Sequence, residues 1–550
     1  MASEKNVNRR GFVKATTGGV LGLSAVAATE SSAAAGAERA PKREAVAGFM
    51  TSRFVLGEPY DLLGKRIVFT NWTYVNPGGY DWVNEKGQSA GLFEDVDPFE
   101  AHFRGLNAPR GIRLRAYQPQ IMAPLEKPPH RMILQDGGIY RGWSNNNYFE
   151  SDDAINWKQK ANCVLDEKIW DGIMWVFKDP IGPDSERYKF AFLTQISPAE
   201  FEEYRKRRPD GWDPSGLRWL EEEKKVYCIK GAVSPDGIDW KALPDPLSVE
   251  FSDTTIVTYY DQFLRKYVMY TRINYSRPRT DQLPPSVRGT TGGRRAIGRS
   301  ESDDFRRFPP SELILEPTLE MLPSEVLYTN NKTTIPGAPD HHLMFPTVWN
   351  ASVDDTTRIV MASSHDGIVW HWVPGGTLLE TPAFGAPDGG CIWVGHDLIE
   401  LPNGDWAIGY SGSGFPHKYP RGQRAAFGGV AGYAVWPKGR MMAVEAQDRG
   451  QFTTVAIMPP GRELKINAET ARAGSIRIQV EAAEIAAKGG EIDAQVIADR
   501  SFDECMPIFG DQHWTMVTWK GSSDLGYKPG EPIRLRFKLD RAKIFGLEFS

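Results

Sequence analysis

Three aspartates follow three copies of one short pattern at similar distances. Asp179 lies 22 residues after Trp157, Asp253 lies 13 after Trp240, and Asp388 lies 18 after Trp370. They stand in Lys178-Asp179-Pro180, Ser252-Asp253-Thr254 and Pro387-Asp388-Gly389-Gly390. A fourth, Asp340, comes 32 residues after Phe308 and is followed by His341 and His342. Carboxylates that converge from separate segments can divide acid and base roles. Crowding splits their pKa values, so that one keeps its proton and the other is ionised. Glycosidic bonds are broken by such a pair, one donating to the leaving oxygen and one acting as nucleophile or activating water. Asp179, Asp253 and Asp388 are the candidate catalytic residues. An Asp before a strand also serves simply to cap a turn, and three matched placements weigh against that simpler reading.

Other side chains are candidates for holding a substrate. Asp340, His341 and His342 fall in the next unit of the chain, and Arg272, at the end of a strand, can pair with a channel carboxylate. Trp393 and His417 lie downstream of Asp388, and a Trp ring can cover the apolar face of a sugar. Neighbouring strand residues point to opposite faces, so at most one of His341 and His342 can face a channel. No metal-ligand spacing accompanies them, and neither a metal nor a cofactor is expected.

The elements that position these residues are set by a repeat. Ser-x-Asp-x-x-x-aromatic occurs at Ser151–Trp157, Ser234–Trp240, Ser302–Phe308 and Ser364–Trp370, with starts 83, 68 and 62 residues apart. Self-similarity on that scale marks a radial or stacked fold. Asp and Gly make a tight turn, Ser hydrogen-bonds back to it, and the aromatic pins it to a sheet. Each copy, called a box below, is expected at the last hairpin of one propeller blade. Strand-like segments with partial alternation recur between boxes, among them Arg187–Leu193, Lys266–Arg272 and His342–Pro346. The units read as 110–160, 170–245, 250–315, 325–375 and 385–445, giving five blades. The fifth has no box; Gly432–Arg440 matches Ala296–Asp304 in position, so a degenerate turn is expected there, and the strand near Arg66–Thr70 is one candidate to complete the blade. Insertions at 197–225 (charged, partly helical) and 274–295 (Pro-, Gly- and Arg-rich) interrupt the repeat. The first reads as a solvated flap, and the second is a loop of a length that often rims active sites. From about Gln447 short strands follow to the C-terminus. The predicted fold is all-β: a five-bladed β-propeller over 60–445 and a β-sandwich over 446–550.

Composition narrows the function classes. In 550 residues, 65 basic and 70 acidic side chains are well mixed and leave a net charge of -5, which excludes the basic face of a nucleic-acid binder. The 4 cysteines are widely spaced, so they indicate neither a zinc site nor a disulfide framework. Asn8-Arg9-Arg10-Gly11-Phe12-Val13-Lys14 precedes a short apolar stretch, Gly18–Ala28, and a small-residue run, Ser31–Ala37. This order resembles a twin-arginine signal within a leader and linker over 1–40. It predicts export by that machinery to the periplasm or beyond. The apolar stretch is too short to span a bilayer, and no membrane span is expected.

A propeller followed by a sandwich, with Lys178-Asp179-Pro180 entering the second blade, resembles the five-bladed glycosidases of glycoside hydrolase families 32 and 43. Exported bacterial family 32-like proteins are the nearest of these, and their sandwich module resembles Gly461–Asn467 through Lys543–Phe549. The resemblance implies a carbohydrate substrate and places Asp179 as a transition-state stabiliser and Asp253 where the acid would fall. The blade 1 nucleophile motif and the Glu-Cys acid motif of family 32 are absent, so activity on fructans is not implied. A non-catalytic carbohydrate-binding propeller fits the same pattern. So does a sialidase-like enzyme, since sialidase propellers carry such boxes. Sialidases need an arginine cluster and a Tyr nucleophile, which do not stand out in the sequence.

Overall fold

A computed structural model describes residues 59–77, 109–125, 129, 132–144, 146–167, 169, 172–274, 294–418, 428–483 and 495–550. The expected signal and linker lie outside these residues. The described chain is almost wholly β, and five of its six sheets form the blades of a propeller. Blade I holds Ile133–Asp136, Ile139–Ser144, Asn147–Ser151 and Lys158–Asn162 as an antiparallel meander. Blade II follows with Phe177–Lys178, Tyr188–Ile196, Val226–Ser234 and Asp239–Ala242, and Val164–Leu165 pairs parallel to its outer strand. Blade III is Val257–Asp261, Lys266–Ile273, Ala296–Ser302 and Glu312–Leu315. In blade IV the first and second strands are each broken once, into Glu325–Thr329 with Lys332–Ile335 and Ala338–Met344 with Thr347–Asn350. Thr357–Ser364 and His371–Glu380 complete it.

Blade V explains its missing box. Cys391–Glu400, Trp406–Ser413 and Gly429–Trp436 are its own three strands. The chain then leaves through a one-turn 3₁₀ segment, Pro437–Gly439, into the C-terminal sheet. With no third-to-fourth hairpin, there is nothing for a box to close. The fourth strand is Gln120–Met122, which pairs with Tyr433–Val435. This corrects the expectation for Arg66–Thr70: Arg66–Ile67 pairs with Leu547–Glu548 instead. Alternation alone could not tell which N-terminal strand would find the open blade edge.

Each box sits between the third and fourth strands of blades I to IV. In boxes 1, 2 and 4 the Ser hydroxyl donates to the Asp carboxylate, at 2.9 Å in box 1 and 3.0 Å in the other two. The same carboxylate oxygen accepts the next two turn N–H groups, as from Ile238 and Asp239 at 2.8 and 3.0 Å. These donors hold Asp153 and Asp236 below the usual carboxylate range against the upward push of burial. The Trp of each of these boxes donates Nε1–H to the carbonyl at the fourth box position: Ala154, Gly237 or Gly367. That carbonyl also takes a donor from the preceding blade: Tyr433, Trp143 or Tyr270. Box 3 has Phe305 at this position. Its ring is buried against Phe177, Tyr267 and Phe308 at steep interplanar angles, so edge-to-face and tilted ring packing takes the place of those Trp hydrogen bonds. Gly237 needs its glycine, having φ +83° and only 2.9 Å between an added Cβ and the Trp143 ring.

A four-strand meander gives each blade two ends. Boxes and first-to-second hairpins lie at one end, called the box face. The starts of the first strands and the second-to-third hairpins lie at the other, called the mouth. Polar ties cross between blades on the box face. Asp136 of blade I accepts from Lys178 at 2.6 Å, Tyr188 at 2.7 Å and Arg141 at 2.9 Å. Burial alone would raise its pKa, but these donors outweigh burial and set it at about 2. A depressed carboxylate pKa contributes stability above the unfolded value near 3.8, and that contribution is lost as pH falls toward 2. Asp136→Asn is therefore expected to lower the melting temperature at pH 6 and to flatten its fall between pH 4 and pH 2. Melting curves taken across that range read out both effects, and a parallel pair of curves counts against the assignment.

The sixth sheet has nine strands and extends beyond the C-terminal residues. Met442–Thr453, Leu464–Ala482 and Ile533–Phe549 are its long members, with register breaks near Ala446 and Thr470. Tyr60–Asp61, Arg66–Ile67 and Arg113–Ala116 join it from the N-terminal side. The boundary drawn at 446 therefore omits three of its strands. Its core includes Phe452, Ile478, Trp519 and Phe537, all essentially buried. The sheet docks on the box face of blades IV and V. Arg66 bonds Glu548 at 2.7 Å and Glu400 at 2.6 Å, and apolar Val68, Met441 and Met442 pack into the blade IV and V core.

Candidate active site

The mouth is built by equivalent positions in several blades. Before blade III, Ser252 accepts the Arg272 N–H at 3.0 Å, Thr254 donates to the Tyr328 carbonyl at 2.9 Å, and Asn330 donates to the Thr255 carbonyl at 2.9 Å. These bonds tie the segment that carries Asp253 to blades III and IV. Asp253 forms an ion pair with Arg272, whose side chain is only 2% exposed while that of Asp253 is 39% exposed. Arg272 comes from the end of the second strand of blade III, and its guanidinium lies 4.8 Å from the centre of the Tyr328 ring. Burial first, then the Arg295 charge, push the Arg272 pKa down to about 9. It keeps its proton at neutral pH.

An aromatic floor continues from there. Tyr328 packs on Trp349, Trp393 and His417 with ring centres 5.3, 5.5 and 4.8 Å away. Trp349 and Trp393 each also meet His417, at 5.0 and 5.1 Å. Arg295 lies 5.1 Å from the Trp349 ring and Lys418 Nζ lies 4.7 Å from it. Asp355 fixes the loop geometry by accepting from Trp349 Nε1 at 2.9 Å and from the Lys418 N–H at 2.5 Å. Trp393 is held because its neighbour Ile392 exchanges two hydrogen bonds with Thr357 of blade IV, both 2.7 Å. Beside Asp253 opens a small cleft between blades II and III, lined by Trp175, Phe192, Ser252 and Thr254 among others.

Of the nine residues singled out from the sequence, Asp253, Arg272, Trp393 and His417 meet here. Asp388 stands at the same end of blade V, just before the strand that bears Trp393, and accepts from Tyr410 at 2.7 Å. Burial and that bond push the Tyr410 phenol up.

The remaining four are on the box face. Asp179 sits at the first-to-second hairpin of blade II, where its N–H bonds the Arg187 carbonyl. Its side chain is fully buried, 2.5 Å from the buried Lys189 Nζ, and accepts from Tyr267 at 2.7 Å and the Ile181 N–H at 3.0 Å. The structure thus separates Asp179 from Asp253 and Asp388, because the chain has already run through the first strand when it reaches Asp179. Asp340 and His341 serve the docking of the C-terminal sheet. Asp340 accepts from Tyr60 at 2.9 Å, and His341 Nε2 accepts the Val68 N–H at 3.2 Å. That leaves His341 Nδ1–H to donate to Asp340 at 3.2 Å. His342 is buried between blades III and IV, 3.7 Å from Asp261. None of these three lies at the mouth.

Sequence reasoning missed Tyr328, Trp349 and Arg295. Their signal was positional: Trp349 and Arg295 flank second-to-third hairpins, as Arg272 does, and Tyr328 lies on a first strand. The 197–225 insertion rises from the corresponding hairpin of blade II. Its helix, Pro198–Arg207, is capped by Ser197 and Glu200, and Phe201 and Tyr204 are buried, so it packs on the blade. The 274–295 insertion lies largely outside the described residues. Among the described residues no helix is long and apolar enough to cross a membrane.

No family model matches the chain, and no curated protein matches it. Solved structures similar to it include a thermostable family-43 glycoside hydrolase at 14% identity, with a TM-score of 0.36, over 56% of this chain and 88% of that one. A xylan β-1,4-xylosidase from Bacillus halodurans is similar at 9% identity, with a TM-score of 0.32, over 78% and 99%. A Bombyx mori GH32 β-fructofuranosidase is similar at 8% identity, with a TM-score of 0.32, over 80% and 94%. Likenesses of this extent carry no conclusion about the chemistry of this chain.

Proposed function

We propose that the protein is a glycoside hydrolase acting on an oligo- or polysaccharide at the mouth of the propeller. One observation carries this reading. A carboxylate held by a buried arginine stands beside an aromatic floor formed from blades IV and V, and that combination binds a sugar ring and attacks its anomeric bond. The half-buried rings of Tyr328 and Trp393 supply flat apolar surface for the C–H face of a pyranose. Asp253, opposite the Arg272 charge, is suited to the ionised role, as nucleophile or as base for water. Asp388 is the proton donor to the leaving oxygen in this scheme. Asp179 takes no part in the chemistry and is a structural anchor. The C-terminal sheet, folded at its register breaks into a two-layered sandwich, is a buttress on the opposite face. Export by the twin-arginine route belongs to the same proposal and is read out by finding the mature chain outside the cytoplasm.

A panel of polysaccharides and aryl glycosides, incubated with the mature protein and assayed for released reducing ends, tests this function. Release that is absent in Asp253→Asn supports it. Binding of a saccharide with no release from any member would leave the non-catalytic propeller in its place.

A further inference from the structure

Asp388 is held more firmly than a surface turn requires. Pro387-Asp388-Gly389-Gly390 leads into the first strand of blade V, Cys391–Glu400. The Gly390 N–H donates to the Ser413 carbonyl at 2.8 Å, and the Cys391 thiol lies 3.1 Å from the Ser413 hydroxyl. The motif is thus laid against the end of the second strand, Trp406–Ser413. Two glycines permit this approach. A Cβ at Gly390 would strike the Phe415 backbone, and one at Gly412 would strike the Asp388 Cβ. Tyr410 stands two residues before Gly412 and so shares its face of the strand. Its Oη donates to Asp388 Oδ2 at 2.7 Å. Tyr410 is buried, while Asp388 is only half-buried. Burial first, then Asp388, push the phenol up, so Tyr410 keeps its proton and acts as the donor. Asp388 Oδ1 accepts no hydrogen bond among the described residues and is not among their buried polar atoms.

We propose that Tyr410 is the positioning residue of the proton donor: by occupying Oδ2 it fixes the Asp388 carboxyl group and leaves Oδ1 to carry the proton to the leaving oxygen. This rests on the reading of Asp388 as the acid of a glycoside hydrolase. In the step, the Oδ1–H bond breaks as the proton passes to the glycosidic oxygen. The bond from that oxygen to the anomeric carbon breaks, and its electron pair stays with the oxygen. The leaving group departs as a neutral alcohol, and Asp388 is left as a carboxylate. The anomeric carbon is met by Asp253 or by the water it activates. Negative charge therefore develops on Asp388 in the transition state. A donor already aimed at Oδ2 binds that charge more strongly than it binds the neutral acid. A tyrosine that merely tied the loop to the strand would serve every substrate alike.

Leaving groups separate the two roles. A sugar alcohol needs a proton to depart, whereas 4-nitrophenolate departs as the anion and needs little help from an acid. The parent, Tyr410→Phe and Asp388→Asn proteins are assayed on the 4-nitrophenyl glycoside that the parent cleaves fastest and on a disaccharide of the same sugar. Tyr410→Phe is expected to lower kcat on the disaccharide at least about tenfold, the scale of one hydrogen bond to a charged group. KM should change little, and the loss on the nitrophenyl glycoside should be far smaller. Asp388→Asn should show the same split, with a loss of at least about 100-fold on the disaccharide. Should Tyr410→Phe fail to fold, Gly412→Ala displaces Asp388 while keeping the Tyr410 hydroxyl, and must give the same split. Equal losses on both probes in Tyr410→Phe, or no loss on either, overturn the inference, and a split kept in Asp388→Asn then leaves Asp388 as the acid. Undiminished disaccharide cleavage by Asp388→Asn removes the acid reading itself, and this inference with it. A parent that cleaves neither probe removes the hydrolase reading and overturns both.

Discussion

Asp253→Asn is expected to lower turnover on the protein's saccharide substrate by at least about 100-fold, the lower end for loss of a catalytic acid or base. The substitution keeps the size of the side chain and one oxygen facing Arg272, so the Ser252–Thr255 segment keeps its ties to Arg272, Tyr328 and Asn330. What is lost is the negative charge, which serves as nucleophile or base. The effect should fall on kcat, with KM changed little, because the aromatic floor and Arg272 still hold the sugar. Asp253 is well exposed for a residue facing a buried partner, so the ion pair is partly screened and stability should fall far less than activity. Steady-state kinetics on purified folded variant, alongside a melting curve, separates the two. Loss of activity in proportion to loss of fold would return Asp253 to a structural role.

Asp179→Asn is expected to show the opposite split. Asp179 and Lys189 form an ion pair with both side chains essentially out of solvent. Removing one partner strands the other charge, a change that costs about 3–5 kcal/mol in comparable buried pairs. Tyr267 and the Ile181 N–H would also lose a charged acceptor. Gly182 shows how tightly the loop covers the pair, since an added Cβ would come 2.6 Å from Lys189 Nζ and 2.7 Å from Asp179 Oδ2. Chemical denaturation should therefore show a large fall in stability. Below the unfolding midpoint, turnover per folded molecule should stay near that of the parent. A stable Asp179→Asn protein that has lost turnover would bring Asp179 back into the chemistry.

The box pattern made the blades legible because its chemistry is local. Ser, Asp and the aromatic act on a turn of seven residues, and the same bonds recur at Ser151, Ser234 and Ser364. The missing fifth box was misread as a degenerate turn: the chain leaves blade V at Pro437–Gly439, and the blade borrows its last strand from Gln120–Met122. Site residues were harder to read because distance from a box is a poor measure of position along a strand. Between box 1 and Asp179 the chain makes an extra parallel pairing at Val164–Leu165 and then runs the whole first strand. Asp253, 13 residues past its box, is counted before the first strand begins. The same overrun carries Asp340, His341 and His342 to the wrong end of blade IV. Arg295 and Arg272 are neighbours only because an antiparallel hairpin brings its two ends together, and nothing local in either segment announces that.

The claim that the mouth is the reactive face is met most directly by a crystal structure of the Asp253→Asn protein soaked with the best-hydrolysed oligosaccharide. The account predicts a sugar ring stacked on Tyr328 or Trp393, with its anomeric carbon beside residue 253. A saccharide bound instead on the box face, beside Asp136 or Asp179, would contradict it.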